Sequence, residues 1–136
     1  MTLTPTIAIH IAAAVGALVT GPVALWARKG RLQRPRLHRA FGYAWVTLML
    51  ATAVSAIFIR DFTVPNLAGY TLVHLLVPLT LFGLVGAFHA LAQGNIRQHR
   101  FRMQMLYFAA CVTAGAFTLL PQRYLGQMVW GGLGLV

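Results

Sequence analysis

LVHLLVPLTLFGLVGAFHALAQGNIRQHR, running from Leu72 to Arg100, decides the fold because it repeats the layout of an earlier stretch. That stretch is IHIAAAVGALVTGPVALWARKGRLQRPRLHR, from Ile9 to Arg39. Each copy places a histidine just inside an apolar run, His10 or His74, and follows it with a long uncharged span broken by one proline, Pro22 or Pro78. A glycine-containing basic loop comes next, and each copy closes on the same dipeptide, His38-Arg39 and then His99-Arg100. The histidines are 28 positions apart in the first copy (10 to 38) and 25 in the second (74 to 99), so the match is approximate. The pattern predicts two repeated helical hairpins.

Of 136 residues, 59% are apolar and 9% charged. A soluble domain carries roughly 25% charged residues, so this composition belongs in lipid. One domain, residues 1–136, is the natural count at this length. A formal charge of +10 suggests nucleic acid in a soluble protein, but nearly all of it sits in two short loops between apolar runs. No nucleic-acid partner is therefore expected. The single cysteine, Cys111, lies within an apolar run, which excludes an internal disulfide and a cysteine-based zinc site. The start, MTLTPTIAIH, lacks the basic region of a secretory signal, so the first apolar run is expected to be retained as an anchor.

Four apolar runs, at about 6–27, 37–59, 68–92 and 101–120, are each long enough to cross a hydrocarbon layer of roughly 30 Å as a helix. Lipid cannot satisfy an open backbone, and no run alternates as a barrel strand would. The expected fold is an all-α membrane protein, a bundle of four transmembrane helices. Nine of the eleven basic residues fall between runs one and two (Arg28, Lys29, Arg31, Arg34, Arg36, Arg39) or three and four (Arg97, Arg100, Arg102). Only Arg60 and Arg123 lie on the other side, with Asp61, the sole acidic residue. The positive-inside bias predicts cytoplasmic basic loops and both termini outside. Trp26 marks the inner edge, while Tyr70, Tyr124 and Trp130 suit an outer aromatic belt. The tail, 121–136, is too short and glycine-rich to cross again and is expected at the outer surface or against a partner. Pro78 removes the amide that would bond the carbonyl of His74, either as an ordinary kink or to aim that histidine inward.

This topology sorts the imidazoles into an outer pair, His10 and His74, and an inner pair, His38 and His99. Ionisable groups inside membrane helices are costly and usually face the bundle interior with a partner. Facing imidazoles across a bundle suit a haem iron. Each of the four, taken singly, is also explained as an interfacial histidine bonding a carbonyl, a phosphate or water. Arg39 and Arg100 follow the inner histidines, where an arginine can neutralise a haem propionate or simply signal topology. Arg60 and Arg123 are weaker candidates of the same kind. His89, Met103 and Met105 are spare ligands whose plainer roles are interface polarity and core packing.

The early membrane histidine, RLHRAFGYAWV, the third-run histidine and RQHRFRMQMLY together resemble a bacterial family of predicted membrane proteins, domain-of-unknown-function family 2306. The resemblance covers most of the chain and implies a bacterial inner membrane, with both termini periplasmic or extracellular. More distantly, the scheme is similar to the two-haem membrane proteins of the cytochrome b561 type, whose four-helix core holds one haem near each face between histidines of alternate helices. That similarity implies an outer haem b on His10 and His74 and an inner one on His38 and His99.

The resulting expectation is a b-type cytochrome-like protein that carries electrons on bis-histidine haem, with a membrane quinone or a redox protein as partner. The competing expectation is a cofactor-free scaffold or accessory subunit, a homo-oligomer or part of a larger complex, whose histidines bond between helices. Proton or metal transport ranks last, since no carboxylate lies within a span. Nothing supports a soluble enzyme: there is no carboxylate pair, no nucleophile beside a base and no phosphate-cradling loop.

Overall fold

The computed structural model describes residues 3–31, 33–62 and 65–135, and the named secondary structure among them is helical. Helix α1 spans Pro5–Trp26 and begins where the Thr4 hydroxyl accepts the Ile7 amide, with proline in the first turn. Helix α2 spans Pro35–Phe58 and also opens on proline, whose missing amide costs nothing there. A 3₁₀ turn, Leu72–Leu75, leads into α3, Leu76–Ala92. Helix α4, Ile96–Leu106, continues through a π-helical turn, Tyr107–Val112, into α5, Thr113–Thr118. A short helix, α6, covers Tyr124–Gly132. Among the described residues, three helical segments are long and apolar enough to cross a membrane: Pro5–Trp26, Pro35–Phe58 and Leu72–Ala92.

The third segment starts at Leu72, not near residue 68, because the chain turns sharply just before it. Ala68 and Gly69 both have positive φ, and Leu67 and Tyr70 exchange backbone hydrogen bonds across the turn. Pro78 then falls in the first turn of α3, where no intrahelical amide is needed. It therefore marks the beginning of a helix and is not a mid-span kink. The fourth segment begins earlier than its apolar run, at Ile96, because Asn95 caps it by accepting the Gln98 amide.

Pro22, by contrast, lies within α1 and leaves the carbonyl of Leu18 without its helical amide. The phenol of Tyr107 donates to that carbonyl at 3.1 Å, from the first residue of the π turn. Gly21 makes the approach possible: a Cβ there would lie 2.5 Å from the Tyr107 ring. Around this joint, Ala17, Trp45, Met49, Leu84, Leu106, Ala110 and Cys111 form the buried core, with Met103 packed against its edge. Gly83 admits Leu106 of the facing helix in the same way that Gly21 admits Tyr107. Most other large apolar side chains, among them Val19, Phe82, Val85 and Phe108, are exposed, as a lipid-facing surface requires.

Both expected hairpins are present, α1 against α2 and α3 against α4. The two basic loops lie at one end of the molecule and the Asp61 loop at the other. Met105 is exposed, as is Trp26 beside the first basic loop.

Candidate functional site

Each of the four paired histidines bonds a main-chain carbonyl on another segment. His38, in the first turn of α2, places Nδ1 2.8 Å from the carbonyl of Ala24 near the end of α1. His99, in the first turn of α4, places Nδ1 2.9 Å from the carbonyl of Ala87 in α3. A carbonyl only accepts, so both rings carry the proton on Nδ1 and donate it. The repeated histidine-arginine dipeptide thus fastens each hairpin across its own basic loop. His38 and His99 are half-buried, while Arg39 and Arg100 are exposed.

At the other end, His10 reaches from α1 to α2, with Nδ1 3.1 Å from the Thr52 carbonyl and 3.0 Å from the Ser55 hydroxyl. That hydroxyl donates to the Ala51 carbonyl at 2.7 Å, so the His10 Nδ1–H is the donor to both neighbours. In the neutral ring, the form a membrane helix favours, Nε2 then carries the lone pair, and among the described residues it has no hydrogen-bond partner. His74 is held differently. Its Nε2 donates to the Ile59 carbonyl at 2.8 Å, and its Nδ1 accepts the Thr71 amide at 3.0 Å, so both nitrogens are engaged. Tyr70 packs edge-on against the same ring at 5.1 Å and donates its phenol to the Ile57 carbonyl.

His10 and His74 line one cavity of about 170 Å³, together with Asp61, Thr71, Arg123 and Tyr124. Arg123 donates to Asp61 at 2.5 Å, tying the Asp61 loop to the junction between α5 and α6. Arg60 lies over the Tyr70 ring instead, 5.2 Å from its centre. A second cavity of about 130 Å³ shares His10, Ala56, Val73 and Ala114 with the first and runs down to Met49, Thr80 and Cys111. Neither cavity includes His38 or His99, and Trp45, Leu106 and Tyr107 fill the core on their side of the molecule. His89 is exposed.

A haem-ligating imidazole donates from Nδ1 and ligates through Nε2. His10, His38 and His99 hold that form, and only His10 also faces a cavity. His74 does not fit as a ligand, because its Nδ1 accepts a hydrogen bond and its Nε2–H is spent on Ile59. Among the described residues, no three His, Cys, Asp or Glu side chains converge as a metal site.

Sequence reasoning located the histidines but not their carbonyl partners, nor the π turn and Tyr107. The tail, expected at the surface or against a partner, packs as α6 against the end of α5. Trp130 donates to the Leu119 carbonyl at 2.6 Å, and Gly126 leaves no room for a side chain beside the Leu120 carbonyl.

No curated protein and no solved structure was found to match. The model of a family described as predicted membrane protein (DUF2306) matches residues 7–129, which is nearly the whole chain. With its apolar helices and basic interhelical loops, the chain belongs to the DUF2306 family of predicted membrane proteins.

Proposed function

We propose that this chain is a small membrane scaffold, a four-crossing bundle that serves as an accessory subunit and whose histidines act as fasteners between helices. One observation carries the reading: His10, His38, His74 and His99 each donate a ring N–H to a carbonyl on another segment. The fourth crossing is the unbroken helical run 96–118, about 35 Å long at 1.5 Å per residue. Its first turns carry Arg97, Arg100 and Arg102, which stay at the cytoplasmic surface with the other basic loop. Both termini and the Asp61 loop then face outward, from an inner membrane. Copurification with a larger assembly from native membranes supports the role, and isolation as a stable, solitary monomer overturns it. A protease-accessible carboxyl-terminal tag on intact spheroplasts supports the topology; a protected one reverses it.

A haem-binding reading is second, favoured by the open Nε2 of His10 beside a cavity. When bound there, haem would supply one-electron chemistry; the chain would contribute His10 as ligand and apolar walls around it. A reduced-minus-oxidised visible spectrum of protein expressed in haem-replete cells separates the two readings. A b-type spectrum that His10→Ala abolishes favours the cytochrome, and a colourless, folded protein favours the scaffold.

A further inference from the structure

The two cavities form a chamber with polar groups at one end and apolar walls below. The mouth holds His10, His74, Thr71 and the Asp61–Arg123 pair; the deeper part ends at Met49, Thr80 and Cys111. Along α1 the chamber runs from His10 to Leu18, about 12 Å at 1.5 Å per residue, close to half of a hydrocarbon layer. Small side chains from the packed helices, Ala14, Ala53, Ala110 and Ala114, keep it open. Leu125 of α6 lines both parts, so the folded-back tail forms one wall.

We infer that this chamber binds a neutral membrane amphiphile with a hydroxyl head, the hydroxyl donating to Nε2 of His10 and the apolar body lying against Val73, Ala114 and Cys111. The head must donate, because the uncharged His10 ring offers a lone pair at Nε2 and no proton there. The head is neutral, because the Arg123 cation is already matched by Asp61 and a further charge above an apolar chamber would lack a partner. A purely apolar occupant leaves the imidazole nitrogen without a hydrogen bond in low dielectric, which is costly. Two sources share this chemistry: ring hydroxyls, as in quinols, and chain alcohols.

The test uses detergent-purified full-length protein labelled with nitrogen-15 at histidine and titrated with para-nonylphenol, its methyl ether nonylanisole, and dodecanol. Nonylphenol is expected to move one acceptor-nitrogen resonance upfield in a saturable way, and that resonance is the one missing from His10→Gln. Nonylanisole, which cannot donate, leaves it in place. A parallel shift with dodecanol assigns the site to hydroxyl lipids in general, and its absence assigns it to ring hydroxyls. Ala114→Leu fills the chamber without touching the His10 contacts; it is expected to keep the His10 resonance and raise the half-saturating nonylphenol concentration at least tenfold. The inference is overturned if no resonance responds, if nonylanisole acts like the phenol, if the responding resonance survives His10→Gln, or if Ala114→Leu responds normally.

Discussion

The hydroxyl of Tyr107 donates at 3.1 Å to the carbonyl of Leu18, the acceptor that Pro22 leaves empty. A proline and a tyrosine 85 positions apart (22 to 107) thereby form one joint between the first and fourth helical segments. In water such a vacancy is solvated. In a lipid-embedded bundle it needs a donor from the protein.

Tyr107→Phe is expected to destabilise the fold by about 1 kcal/mol, the usual net worth of a hydrogen bond, by leaving that carbonyl unmet. Pro22→Ala restores the helical amide, so it should shrink the Tyr107→Phe effect to near zero. Unfolding titrations of the two single variants and the double variant measure this coupling, and additive losses would refute the joint.

Gly21→Ala should cost more than Gly42→Ala, although both replace a glycine within a helix. A Cβ at residue 21 would lie 2.5 Å from the Tyr107 ring and 3.0 Å from Nε1 of Trp45. At residue 42 it meets nothing within 4 Å, and alanine gains up to about 1 kcal/mol of helix propensity there. Thermal midpoints of the two variants should therefore move in opposite directions.

His38→Ala and His99→Ala each remove a hairpin fastener. Interhelical hydrogen bonds in membranes are worth about 0.6 kcal/mol on average and reach about 1.7. Each loss should fall in that range, and the two should add, because each histidine serves its own hairpin. Losses far outside it, or strong coupling between the variants, would point to a shared ligand instead.

Arg123→Met removes the cation bonded to the buried Asp61 carboxylate. Part of the arginine is exposed, so the expected loss is about 1–3 kcal/mol, below that of a fully buried pair. Release of α6 should accompany it, read as faster proteolysis between residues 119 and 124. The reversed pair, Asp61→Arg with Arg123→Asp, should recover much of both effects.

The three long apolar helices were legible because their length and uncharged composition are properties of contiguous residues, and both basic loops fell where helices end. The hairpin repeat was legible too, since the histidine-arginine dipeptide recurs in the same setting. The start of α3 was not, because Ala68 at φ +54° is a conformation nothing in an apolar run announces. Pro78 looked like the counterpart of Pro22 only in sequence order; the 3₁₀ turn before α3 gives it another role. The tyrosine that meets Leu18 and the carbonyls that meet the histidines are tertiary partners, invisible to spacing. The Asp61–Arg123 ion pair is tertiary too: in sequence the two residues lie 62 positions apart, on either side of the second hairpin.

His38 and His99 reach carbonyls only 14 and 12 residues back along the chain. Contacts of such short range form early and quickly. The first helix pair can thus lock while the second is still on the ribosome.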